Sequence, residues 1–248
     1  MTFAYDGSKY NGYQKQPNAK TIQGEIETAL TQINNGKKVS LVASGRTDAG
    51  VHAYNQRAHF ELETKITSEK LKQGINSLIP DDIYVKKVFE VDENFHARFD
   101  VKAKEYIYKI NMGIYNPIEK DYVYQYNKKL DISEMERALK YLEGTHDFRA
   151  FTSNKRSKKS TVRTIDRIMI ERVGSSLFTK ENHDEIRFTY SGNGFLCHMV
   201  RILTGTLLEV GQGERMPDSI PEILASKERE NAGALVPGKG LVLEEVYY

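Results

Sequence analysis

Cysteine is nearly absent from this chain: Cys197 stands alone among 248 residues. No internal disulfide can form, and one thiol cannot build a Cys-rich zinc site. Long apolar runs are missing as well. Stretches such as LTGTLLEVG (203–211) are far too short to cross a bilayer. The opening MTFAYDGSKY has no charged segment leading into an apolar one, so the expectation is a chain without a signal peptide, working in the cytoplasm. No Gly-rich turn ends in Lys-Ser/Thr after a strand, and there is no HExxH. The six histidines, His52, His59, His96, His146, His183 and His198, are scattered. The expectation is a protein with no metal, nucleotide or flavin cofactor.

What is present is a globular composition, 39% hydrophobic and 28% charged. The length suits one large domain or two ordinary ones. A net charge of +2 is too mild to announce a nucleic-acid binder, so the distribution of charge matters more. Residues 153–167, SNKRSKKSTVRTIDR, carry Lys155, Arg156, Lys158, Lys159, Arg163 and Arg167 against Asp166 alone. That run is either a solvated loop or an arm that grips phosphates. Fifteen tyrosines and ten phenylalanines allow base stacking, although most of them must fill a core.

The pattern along the chain reads as a repeated order of elements. TFAYDG is a strand broken by Asp6-Gly7. Thr21 caps a helix whose Ile22, Ile26, Ala29, Leu30 and Ile33 recur at helical spacing, and Gly36 closes it. KVSLVASGRTDAGVHA is a strand running into a glycine-bounded loop, and QRAHFELET is the returning strand. Ser68 caps a second helix that stops at Pro80, and IYVKKVFEVD is a strand. A second half follows: the strand FDVKAKEYIYKINMG, a helix over DISEMERALKYLEGTHDF with Ser133 and Glu136 as a capping box, and a hairpin of RTIDRIMIERV with DEIRFTYSGNGFL. It closes with an amphipathic helix HMVRILTGTLLEVGQG, a short helix PDSIPEILASKER and the strand GLVLEEVYY. Two passes of β-α-β-β-α-β predict an α+β protein of two ferredoxin-like domains, 1–98 and 99–248, with mostly antiparallel sheets whose open faces line a cleft.

Three places could carry chemistry. In SGRTDAGVHA (44–53), Asp48 lies between Thr47 and the small Ala49-Gly50, which leave its carboxylate uncovered, and Arg46 is two residues away. In extended backbone these two side chains share a face. A guanidinium there keeps the carboxylate ionised, fit to act as nucleophile or base. The plain alternative is a turn aspartate bonded to its own loop. Arg201 sits among Met199, Val200, Ile202 and Leu203, so it either snorkels to the surface or reaches a carboxylate. Tyr106 and Tyr108 share one strand face, as core aromatics or as a stacking surface.

Together, GRTDAGVHA, YDGSKYNGYQKQP, FHARFDVKAKEYIYKI and GNGFLCHMVRILTGTLLEVG resemble the TruA-type tRNA pseudouridine synthases, in order and over nearly the whole chain. The resemblance implies two ferredoxin-like domains facing a basic cleft, and a homodimer whose tRNA contacts both protomers through the anticodon stem-loop and elbow. It also implies uridine isomerisation without metal or cofactor. By motif, Asp48 attacks the flipped-out uridine at the ribose or the base, or acts through a glycal. Arg46 holds the nucleotide or fills the gap it leaves, Tyr106 stacks on the uracil, and Arg201 pairs with Asp48. The basic run of Lys155, Arg156, Lys158 and Lys159 is then a phosphate-gripping arm. The chain departs from the family in having Tyr13 where Trp is common, and Lys104-Glu105 where basic residues are common. Those differences bear on which uridines are chosen. Two other readings compete: a non-catalytic RNA-binding protein or RNA chaperone on the same scaffold, and an aspartate-dependent glycosidase. The latter needs a second carboxylate that the motifs do not supply.

Overall fold

A computed structural model describes residues 1–154, 160–173 and 184–248. In chain order the elements are β1 (Thr2–Tyr5), α1 (Ile22–Ile33), β2 (Val42–Ala43), β3 (His52–His59), α2 (Ser68–Leu78), β4 (Ile83–Lys87), β5 (Ala103–Asn111), β6 (Tyr124–Gln125), α3 (Ile132–Leu139), β7 (Gly144–Asp147), β8 (Val162–Val173), β9 (Glu185–Gly192), α4 (Met199–Gly211), α5 (Ile220–Ser226) and β10 (Leu241–Tyr247). Short 3₁₀ turns fill several of the connections. The chain divides into two compact units, Met1–Lys102 with Val242–Tyr248, and Ala103–Leu241. No helix among the described residues is long and apolar enough to cross a membrane.

In the first unit β3 is the hub. β1 lies antiparallel to it, with Phe3 opposite Gln56 and Tyr5 opposite Ala53. β4 pairs antiparallel with β1, and β2 runs beside the last residues of β3. The order β4-β1-β3-β2 is that of a ferredoxin-like split β-α-β. β10 adds a parallel strand beside the start of β3, with Val242 opposite His52. The C-terminal strand, which the element order places in the second half, therefore builds part of the first unit. α1 buries Ile22, Ile26, Ala29 and Leu30, and α2 buries Leu71 and Ile75. Phe3 and Val85 are wholly buried beneath.

The helix starts follow side-chain chemistry. The Thr21 hydroxyl accepts the Gly24 N–H, as expected of an N-cap. For α2 the cap is Thr67, one residue before Ser68, and it accepts the Lys70 N–H. β3 starts at His52, earlier than QRAHFELET suggests, because Tyr5 of β1 and Val242 of β10 are already there to pair with it. It ends at His59, so the alternation of Glu61, Leu62 and Glu63 never becomes ladder.

In the second unit β5, β9 and β8 form an antiparallel meander in space, with Tyr106 opposite Tyr190 and Tyr190 opposite Ile168. β7 adds to β8, and β6 lies parallel beside the end of β5. Neither β6 nor β7 belongs to the simple repeat. α3 stops at Leu139 rather than running to Phe148, because Gly144 takes φ +96° and the chain leaves as β7. Its cap is Asp131, whose carboxylate accepts the Glu134 N–H at 3.2 Å and the Ser133 hydroxyl at 2.6 Å. Ser133 therefore serves the cap rather than forming a capping box with Glu136. α3 packs on α4. The result is the expected α+β class, with a mostly antiparallel arrangement in each unit.

Candidate active site

The candidate residues divide between the units: Arg46 and Asp48 in the first, Tyr106 and Arg201 in the second. The GRTD loop leaves β2 at Ala43 and enters β3 at His52. It has no ladder of its own, so its backbone groups are satisfied one at a time. The Ser44 N–H donates to the Arg57 carbonyl at 2.8 Å, and the Tyr13 N–H donates to the Thr47 carbonyl at 3.0 Å. The Val51 N–H donates to the Asp48 carbonyl at 3.2 Å, and Gly50, at φ +74°, turns the chain into β3.

Side chains complete the mounting. The Thr47 hydroxyl meets the Tyr5 hydroxyl at 2.7 Å. The Ser44 hydroxyl donates to Gln56 Oε1 at 2.7 Å, and Gln56 Nε2 donates to the Gly45 carbonyl at 3.1 Å. Ser44, Thr47, Tyr5 and Gln56 are all buried. Burial pushes the Tyr5 phenol up to about 12, with its bonds to Thr47 and Gln56 opposing. Tyr5 therefore stays a neutral phenol through the working pH range. On this buried footing Asp48 is half-buried, while Arg46 and Ala49 are exposed. The backbone from Gly45 to Asp48 is not strand, so the period-two argument for a shared face does not apply to it.

His52 is the first residue of β3, not part of the loop. Its Nδ1 accepts the Gly7 N–H at 3.1 Å and lies 3.2 Å from an Asp6 carboxylate oxygen. This ties the YDG turn to the strand.

In the second unit Tyr106 projects from β5 and is 8% exposed, whereas Tyr108 on the same face is fully buried. The Tyr106 ring meets Phe195 edge-on at 5.3 Å. Phe195 belongs to GNGFLCHMVR, so the fold joins two motifs that lie some ninety residues apart. That motif is held at its other end too. The Thr152 hydroxyl donates to the Cys197 carbonyl at 3.1 Å, and His198 Nδ1 lies 2.8 Å from the Ser153 hydroxyl. Lys155, Arg156, Lys158 and Lys159 follow directly and lie outside the described residues.

α4 is buried on nearly every side, and only Arg201 and Glu209 among its residues are partly exposed. The reason is a second layer: the segment 233–237 crosses over the helix. Gly205 allows the approach, since a β-carbon there would lie 1.9 Å from the Ala234 carbonyl oxygen. Arg201 Nε donates to the Val236 carbonyl at 2.8 Å, and the Tyr108 hydroxyl donates to the Pro237 carbonyl at 2.7 Å. Burial pushes the Tyr108 phenol well up, and the Arg201 charge opposes that shift. Arg201 is thus braced at its neck by backbone rather than simply snorkelling.

Gln56, Tyr5 and Gly12 support the loop without belonging to the GRTD motif. A signal existed for the first: Gln56 falls on the buried face of an alternating strand, where an amide is costly unless paired. Tyr13 is 3% exposed, and its hydroxyl finds no hydrogen-bond partner among the described residues.

The chain is similar to known proteins along its whole length. A family model described as tRNA pseudouridine synthase matches residues 1–100 and 138–248. A tRNA pseudouridine synthase A 1 of Bacillus cereus is 46% identical over 248 residues, spanning all of this chain and 97% of its own. The tRNA pseudouridine synthase A of a Geobacillus species is 45% identical, over all of this chain and 96% of its own. That of Geobacillus kaustophilus is 46% identical, over 99% of this chain and 92% of its own. A chain of a solved Cbf5-Nop10-Gar1 complex aligns with 84% of this chain and 54% of its own length, at 12% identity and TM-score 0.34. With the GRTD loop mounted on a ferredoxin-like sheet and full-length relatives near half identity, this chain belongs to the tRNA pseudouridine synthase family.

Proposed function

We propose that this chain isomerises uridine to pseudouridine in the anticodon stem-loop of tRNA, in the cytoplasm, as a homodimer whose tRNA reaches both protomers. The observation that supports this best is the GRTD loop. Its neighbours Ser44 and Thr47 are buried and bonded, while Asp48 remains half-buried beside small residues. A half-buried carboxylate held on a bonded base can engage a flipped-out nucleotide.

The chemistry is balanced without any oxidant or reductant. The bond from uracil N1 to the ribose C1′ breaks, the base turns, and a C5–C1′ bond forms. N1 gains a proton and the C5 proton leaves to solvent. Asp48 is the group that engages the nucleotide as nucleophile or base. Arg46, exposed beside it, holds the displaced nucleotide or occupies its place in the stem. Flipping costs a few kcal/mol of lost stacking, which a cation and a planar group offset. Tyr106 stacks on the uracil, and Arg201, braced by the Val236 carbonyl, supplies a cation for the reaction. Lys155, Arg156, Lys158 and Lys159 grip phosphates.

The test is direct. Bulk tRNA labelled with tritium at uracil C5 releases label to water when incubated with the enzyme. Asp48→Asn abolishes release, a loss on the order of 10³-fold or more, and leaves the melting midpoint near that of wild type. Absence of release from every tRNA pool would instead support an RNA-binding protein without catalysis.

A further inference from the structure

Gln56 is wholly buried in the middle of β3, a position where the strand's alternation calls for an apolar side chain. Its amide uses every bond it has. Oε1 accepts the Ser44 hydroxyl at 2.7 Å and the Arg57 N–H at 3.2 Å, while Nε2 donates to the Gly45 carbonyl at 3.1 Å and, more weakly, to the Tyr5 hydroxyl at 3.4 Å. The orientation of the amide follows from its neighbours: a main-chain N–H can only donate, and a carbonyl can only accept. No apolar residue, and no carboxylate in its ionised form, can satisfy both ends.

Two of these bonds reach the residues that launch the GRTD loop. Gln56 holds Ser44 and Gly45 directly, and its bond to Tyr5 connects it to Thr47 through the Tyr5 hydroxyl. Asp48 is the next residue. The loop has no ladder, so this amide substitutes for one. We propose that Gln56 is a positioning residue for the reaction: it holds the Asp48 loop in its reactive geometry and touches no substrate itself. The inference rests on the reading of Asp48 as the group that engages the nucleotide. Misplacing a reacting group by about 1 Å costs on the order of a hundredfold in rate. Binding of tRNA spreads over many phosphates and does not depend on one loop.

The experiment compares the full chain with Gln56→Met, Gln56→Glu, Ser44→Ala and Asp48→Asn, measuring kcat and KM by tritium release from C5-labelled tRNA together with the melting midpoint. For Gln56→Met, kcat is expected to fall at least tenfold, with KM for tRNA within threefold of wild type, at a temperature where the variant is fully folded. In Gln56→Glu the protonated acid keeps one O–H for the Gly45 carbonyl. Its activity relative to wild type is therefore expected to be highest at the acid end of the assay range and to fall as pH rises. A Gln56→Met enzyme with kcat within twofold of wild type overturns the proposal, as does a loss confined to KM. If Gln56→Met does not fold, Ser44→Ala decides, because it deletes one bond at the loop end. A kcat lowered threefold or more with unchanged KM supports the proposal, and an unchanged kcat overturns it. Activity retained in Asp48→Asn would refute the reading of Asp48. An inactive Asp48→Asn beside a fully active Gln56→Met would refute only the role of Gln56.

Discussion

Gly12 and Thr47 touch backbone to backbone: a β-carbon on Gly12 would lie 2.9 Å from the Thr47 carbonyl oxygen, and the same oxygen accepts the Tyr13 N–H at 3.0 Å. The YNGY turn thereby clamps the residue before Asp48. Gly12 also sits at φ +89°, where an L side chain is strained. Gly12→Ala is expected to cost about 1–3 kcal/mol of stability and to lower tritium release by on the order of a hundredfold as the loop shifts. Thermal melting and the labelled-tRNA assay read the two effects separately, and wild-type turnover would show that the loop is held without this close approach.

Gly205 plays the matching part in the second unit. Gly205→Ala places a methyl group 1.9 Å from the Ala234 oxygen, so the segment 233–237 must move, and with it the Val236 carbonyl that braces Arg201. The expected cost is about 3 kcal/mol, a fall of roughly 10 °C in melting midpoint for a chain of this size. Calorimetry checks it, and an unchanged midpoint would mean that the segment yields freely.

Tyr13 carries a buried hydroxyl with no partner among the described residues. Tyr13→Phe removes an unpaired polar atom and keeps the ring, so it is expected to be neutral or to stabilise by up to about 1 kcal/mol. A larger destabilisation in urea unfolding would reveal a bond to that oxygen.

Alkali is expected to unfold this protein through its buried phenols. Burial pushes Tyr5 up to about 12 and raises Tyr13, Tyr108 and Tyr190 as well. An unfolded phenol titrates near 10, so between pH 10 and 12 the unfolded chain loses protons that the folded one retains. The stability from Tyr5 is fully present below pH 10 and is lost as pH rises through 12, about 3 kcal/mol in all. Urea unfolding at pH 8 and pH 11 measures the drop, and a flat profile across that window would contradict it.

Neutralising Lys155, Arg156, Lys158 and Lys159 together is expected to flatten the salt dependence of tRNA binding, by roughly 0.7–0.9 in slope for each phosphate that goes without its cation. Filter binding over a range of salt gives the slope directly. An unchanged slope returns that run to an ordinary solvated loop.

Much of the fold was legible in sequence because its signals are local. The spacing of Ile22, Ile26 and Leu30 and the Thr21 hydroxyl define α1 with no help from the rest of the chain. The alternation from Glu185 to Gly192 likewise forms a strand with every second residue buried. What escaped depended on partners. β7 looks like the tail of a helix until β8 is there to receive it, and β3 begins at His52 only because β1 and β10 lie alongside. Asp131 took the cap from Ser133 because its carboxylate reaches the Glu134 N–H.

The candidate site divides along the same line. The GRTD motif singled out Arg46 and Asp48 by residue type and spacing, and FLCHMVR singled out Arg201. Chemical identity is written in the chain and needs no coordinates. That Gln56 grips Ser44 and Gly45, that Phe195 meets Tyr106, and that the Val236 carbonyl braces Arg201 are relations between residues from eleven to eighty-nine positions apart. Hydrogen bonds and ring contacts act over a few ångströms, so only the folded backbone decides which distant residues come within their reach.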